Sequence, residues 1–80
     1  MNDVRLNVCG QETVVAVQDG WDTIAPVTTK ARWQTGNGER PFDNYEVRDE
    51  VGTLLQPDAA LGGWLDGRTL YVSLLAGIGA

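Results

Sequence analysis

The 80-residue chain reads as an α+β domain in which a mixed sheet of four to five strands wraps a single helix. Three features predict this. Two strand-forming runs stand close together at the start, one stretch carries apolar residues at helical spacing, and a last alternating run precedes the C-terminal residues. Eighty residues make one domain, of a size that buries about 60% of the unfolded chain's surface, so one modest core and no large active-site cleft are expected.

The first strand is read over Asp3-Val4-Arg5-Leu6-Asn7-Val8-Cys9, where Val4, Leu6 and Val8 recur at the period of two that marks a half-buried strand. Gly10-Gln11-Glu12 reads as a short turn. Thr13-Val14-Val15-Ala16-Val17, apolar after Thr13 and rich in β-branched residues, is the return strand of the hairpin. Gln18-Asp19-Gly20 breaks the pattern. Asp22-Thr23 then offers an N-cap for a helix whose Ile24, Val27 and Ala31 fall at i, i+3 and i+7 on one buried face. Pro26 lies in its first turn, where a missing N–H has no intrahelical partner anyway. Thr35-Gly36-Asn37-Gly38 predicts a left-handed C-cap and the end of the helix.

Residues 39–44 are polar, contain Pro41 and read as a connection. Tyr45-Glu46-Val47-Arg48-Asp49 alternates as a third strand with Tyr45 and Val47 inward, and Glu50-Val51-Gly52 turns into a short Thr53-Leu54-Leu55. Gln56-Pro57-Asp58 opens a compact segment, with room for one helical turn, through Ala59, Ala60, Leu61, Trp64 and Leu65. Asp66-Gly67 is a turn signal. The last strand sets Leu70, Val72 and Leu74 on one face and Tyr71, Ser73 and Leu75 on the other. Strand, strand, helix, strand, short strand, strand is the β-grasp plan, here residues 1–74, followed by a flexible tail over 75–80. No repeat or linker interrupts it.

Composition excludes several functions. A net charge of -5 without histidine disfavours nucleic acid, whose phosphates are bound mostly through lysine and arginine. The apolar runs are too short to span a membrane, and no charged n-region precedes an apolar stretch at the N-terminus, so the cytoplasm is expected. Cys9, without a neighbouring histidine, reads as a small filler at a strand end rather than a nucleophile. Lys30 is the one lysine and reads as a solvated helix residue. Trp21, Trp33 and Trp64 read as enlarging a small core. The acids Asp43, Glu46, Asp49, Glu50, Asp58 and Asp66 have neither metal-ligand spacing nor an evident carboxylate pair, so no metal, nucleotide or other cofactor site is expected.

The tail Leu75-Ala76-Gly77-Ile78-Gly79-Ala80 has no charge and two spaced glycines. Such a segment buries little once it leaves the core, and a glycine without a Cβ passes narrow clefts and leaves its carboxylate sterically open. On these grounds the tail reads as a chemical handle presented by a globular body.

Several local patterns together resemble ubiquitin, and more closely the bacterial ubiquitin-like proteins of the multiubiquitin type from bacterial ubiquitination-like operons. Asp22-Thr23-Ile24 with Val27 and Ala31 is similar to ubiquitin's helix start. Val47 and Leu54 keep the spacing of its two leucines around the turn between strands three and four, and Thr69-Leu70 opens the final strand in the same way. Thr35-Gly36-Asn37, Pro41 and Tyr45-Glu46-Val47-Arg48-Asp49-Glu50 resemble the loop and third strand of the bacterial family. The resemblance covers nearly the whole chain, and its weight lies in order and spacing.

The resemblance implies a protein modifier that catalyses nothing itself. Its C-terminal glycine would be activated by an adenylating enzyme, carried as an ester or thioester by a carrier enzyme, and joined to target proteins. Counting from Thr69-Leu70 places Gly79 on the reactive terminus, with Leu75, Ala76, Gly77 and Ile78 as the strip gripped by partner enzymes. Ile78 stands where ubiquitin has a glycine, so the cognate enzyme needs a pocket for it. Ala80 leaves three readings open: a processing peptidase removes it, the alanine is itself activated, or it blocks reaction. Ubiquitin's aliphatic recognition patch is replaced by Arg48 and Ser73, leaving an outer face of Arg5, Asn7, Arg48, Tyr71 and Ser73, with Tyr71 the foremost partner contact. Two alternatives stand beside the modifier: a sulfur carrier whose terminal glycine becomes a thiocarboxylate, and a non-reactive β-grasp interaction module.

Overall fold

In a computed structural model that describes residues 2–38, 45–65 and 67–74, the chain forms the expected α+β domain. Strands β1 (Asp3–Val8) and β2 (Gln11–Ala16) precede helix α1 (Ile24–Gln34), and β3 (Tyr45–Arg48), β4 (Leu54–Leu55) and β5 (Thr69–Leu74) follow it. The five strands form one mixed sheet in the order β2-β1-β5-β3-β4. β5 runs parallel to β1 and antiparallel to β3, so the last strand in sequence is the middle strand in space. This is the β-grasp arrangement.

The alternation read from sequence sets the core. Val4, Leu6 and Val8 of β1, Tyr45 and Val47 of β3, and Leu70 and Val72 of β5 turn inward and are buried. They meet Ile24, Val27 and Ala31 on one face of α1, with Val15, Leu61 and Trp64 completing the cluster. In β2 only Val15 is buried, because the period of two turns Val14 and Ala16 outward however apolar they are.

The hairpin differs from its sequence reading. Gln11 and Glu12 belong to β2, and the turn is the two-residue Cys9-Gly10, fixed by the register Val8↔Gln11. Both turn residues have positive φ, 51° for Cys9 and 92° for Gly10, as a type I′ turn requires to match the strands' twist. Asn7 Oδ1 accepts the Gly10 N–H at 2.9 Å. Cys9 is therefore exposed at the turn instead of filling space at a strand end.

Helix α1 begins where expected, yet the Thr23 side chain makes no capping bond. The crossing segment does that work: Ile24 N–H donates to Ala59 O at 3.0 Å, and Leu61 N–H donates to Asp22 O at 2.9 Å. The C-terminus is a Schellman motif, with Asn37 N–H on Arg32 O at 2.7 Å, Gly36 N–H on Trp33 O at 3.3 Å, and Gly36 at φ 79°. Tyr45 Oη donates to Asn37 O at 3.1 Å, tying the helix end to the start of β3. The compact segment after Gln56 contains a 3-10 turn, Gly62–Trp64.

Two aromatic and charged placements depart from the sequence reading. Trp33 is 60% exposed, because two residues beyond buried Ala31 the helix has rotated by about 200° toward solvent. A Cβ at Gly38 would collide with the Trp33 indole, so glycine lets residue 38 lie against the ring. Arg32 is buried, its guanidinium 4.8 Å from the centroid of the Tyr45 ring. Trp64 is in the core and Trp21 packs against it.

Cys9 occupies a left-handed position that asparagine tolerates far better. Cys9→Asn is expected to raise stability by about 0.5 kcal/mol, read from the urea midpoint.

Candidate functional site

The outer face of the sheet is assembled by register. Tyr71 on β5 is opposite Asn7 on β1 and Arg48 on β3, and Arg48 is opposite Leu54 on β4. One row of side chains thus crosses four strands with Tyr71, 42% exposed, near its middle. Ser73 is the next outward residue of β5, opposite Glu46 and half-buried. Arg5 lies diagonally from Tyr71 beside exposed Val14. The structure therefore brings Tyr71, Arg48 and Ser73 together on one surface, with Arg5 and Asn7 beside them.

Arg48 is held in place. Its Nε and Nη2 each donate to the Glu46 carboxylate at 3.2 Å, and Nη1 donates to Gly52 O at 2.7 Å. Bidentate pairing fixes the plane of the guanidinium next to Tyr71. The turn behind it is equally ordered, since Asp49 Oδ1 accepts the N–H groups of Val51 and Thr53 at 3.0 and 2.8 Å.

The start of β5 is anchored by charge. Glu50 Oε2 accepts the Thr69 N–H at 3.1 Å, while Oε1 accepts from the Arg68 guanidinium, which stacks over the Trp64 ring at 3.9 Å to its centroid. Its own backbone N–H, the Thr69 N–H and Arg68 hold the Glu50 carboxyl below the usual carboxylate range, against a smaller opposing effect of desolvation. A surface carboxylate thus joins the β3–β4 turn to the central strand.

The end of β5 is equally defined. Cys9 N–H donates to Val72 O at 2.8 Å, and Leu74 is the register partner of Tyr45. The strand leaves the sheet between the β1–β2 turn and the start of β3. The tail residues Leu75, Ala76, Gly77, Ile78, Gly79 and Ala80, which carry the expected conjugation terminus and processing position, lie outside the described residues. Among the described residues no group of three or more His, Cys, Asp or Glu side chains is placed to hold a metal ion. No helix among them is long and apolar enough to cross a membrane.

The molecule is a small β-grasp domain with an ordered, partly polar outer face and a central strand that leads into the C-terminal residues. The chain belongs to the family described as Protein of Unknown function (DUF2604), which matches residues 2–80. It is 40% identical over 78 residues to Uncharacterized protein y4jI of Sinorhizobium fredii (strain NBRC 101917 / NGR234), covering 95% of this chain. The chain spans 59% of the length of that relative.

Because folding lowers the Glu50 pKa, its stabilisation is complete above the ordinary value for an unfolded glutamate and is lost as pH falls through the lower folded value. Glu50→Gln is expected to be less stable than the parent at pH 7. The gap in urea midpoint should close as pH falls below about 4.

Proposed function

We propose that this chain is a ubiquitin-like protein modifier, joined through Gly79 to amines of target proteins in the cytoplasm. The observation that supports the reading is the position of β5. It is the central strand, paired on both sides, and it ends at Leu74, five residues before Gly79. At most about 18 Å of chain separates the two, so an enzyme that takes Gly79 also meets the domain surface. The order and spacing of the sequence patterns shared with bacterial ubiquitin-like proteins support it as well.

In this reading a peptidase hydrolyses the Gly79–Ala80 bond and frees the Gly79 carboxylate. That carboxylate attacks the α-phosphorus of ATP in an adenylating enzyme, forming an acyl adenylate and releasing pyrophosphate. A thiolate then displaces AMP to give a thioester, and a target amine attacks its carbonyl, forming the amide and freeing the thiol. The domain is the substrate of each step and supplies recognition: Tyr71, with Arg48 clamped beside it and Ser73 adjacent, is the surface offered to the activating or carrier enzyme. Glycine at the reacting position keeps the carbonyl open to each nucleophile.

The test uses an N-terminally tagged chain expressed in its native host, isolated under denaturing conditions and digested with trypsin. Cleavage after Arg68 leaves an 11-residue remnant, residues 69–79, on any modified amine. Target peptides carrying that remnant are expected, and deletion of Gly79 should abolish them. Absence of the remnant from a well-expressed chain overturns conjugation. A chain ending at Gly79 with one sulfur in place of a carboxylate oxygen would instead establish the sulfur-carrier reading.

A further inference from the structure

We propose that a groove at the pole opposite the β5 exit binds a cationic side chain, arginine foremost, presented by a partner protein. The groove measures about 310 Å³ and lies between residues 17–22 and residues 61–65. Both walls are built. Trp21 N–H donates to Gln18 O at 3.2 Å across a tight turn with Gly20 at φ 89°, which sets Asp19 at the tip. The facing wall is pinned by Leu61 N–H on Asp22 O at 2.9 Å and continues into the 3-10 turn.

The lining has the chemistry of a cation receptor. Val17, Trp21, Leu61 and Leu65 all pack in or against the core, and they offer fixed apolar surface to the methylene stem of a long side chain. An indole in the wall favours a planar guanidinium by stacking and cation–π attraction. Asp19 and Asp22 complete the rim, both exposed. Among the described residues no lysine or arginine lines the groove, and the ion pairs Arg48–Glu46 and Arg68–Glu50 lie elsewhere. The start of α1 nearby contributes roughly half a positive charge, which two full carboxylate charges outweigh.

The groove is separate from the conjugation end. Asn2 lines it and leads into β1, whose far end, Val8, pairs with Val72 beside the exit of β5. Six strand residues put about 20 Å between the two. A partner held at this pole leaves the tail free, and the groove stands or falls independently of the tail's chemistry.

The isotope-labelled chain is titrated, by nuclear magnetic resonance, with a glycine-serine peptide bearing one central arginine and with matched citrulline and norleucine peptides. The arginine peptide should shift the Trp21 indole N–H and the Gly20 and Gly62 amides saturably while leaving the Trp33 and Trp64 indoles in place. Citrulline should bind at least tenfold more weakly, as should arginine to the Asp19→Asn/Asp22→Asn variant, a near-isosteric change at two exposed positions. No saturable shift, equal binding of citrulline or norleucine, or an unchanged affinity of the double variant overturns the proposal.

Discussion

The pairing of β5 between β1 and β3 is the constraint on which the rest of the domain depends. Parallel strands cannot be joined by a tight turn, so the chain leaves the sheet after the β1–β2 hairpin and crosses it between Ala16 and Tyr45 before β3 and β5 form on the other side of β1. The helix supplies the crossover body. Its single apolar face, Ile24, Val27 and Ala31, covers inward residues that β1 and β5 hold side by side, Leu6 with Leu70 and Val8 with Val72. Neither strand buries its face without the other, which ties folding to contacts about 64 residues apart in sequence.

Much of the fold was legible because its core elements carry strong periodicity. β1 and β5 alternate cleanly and α1 keeps one apolar face, so burial at Val4, Leu6, Val8, Ile24, Val27, Ala31, Leu70 and Val72 followed directly from spacing. The hairpin turn was misplaced because cysteine is an unusual first residue for a type I′ turn, and Gln11 and Glu12 have turn-like polarity. Residue type alone points Trp33 to the core, whereas counting 100° per residue from Ala31 places it outside, where it lies. Arg32 is buried with its guanidinium over the Tyr45 ring, which a return of the chain that periodicity does not encode brings to it.

The candidate surfaces divided in the same way. Strand parity alone set Tyr71, Ser73, Arg48, Arg5 and Asn7 on the outer face, but not the clamp of Arg48 between Glu46 and the Gly52 carbonyl. The groove beneath Trp21 was invisible in sequence, since it joins residues 17–22 to 61–65 through backbone hydrogen bonds at Asp22 and Ile24. Those bonds fasten the helix start where Thr23 makes no side-chain cap. A helix start fastened by a distant segment also shapes the ground beside it.

Native-state hydrogen exchange measures the dependence on β5 most directly. If its double pairing closes the fold, the amides of residues 70–73 exchange only through global unfolding, with a protection free energy equal to that from urea denaturation. Amides in this strand that exchange by local opening, well below the global value while β1 and β2 stay protected, would show a domain that stands without its central strand and contradict that dependence.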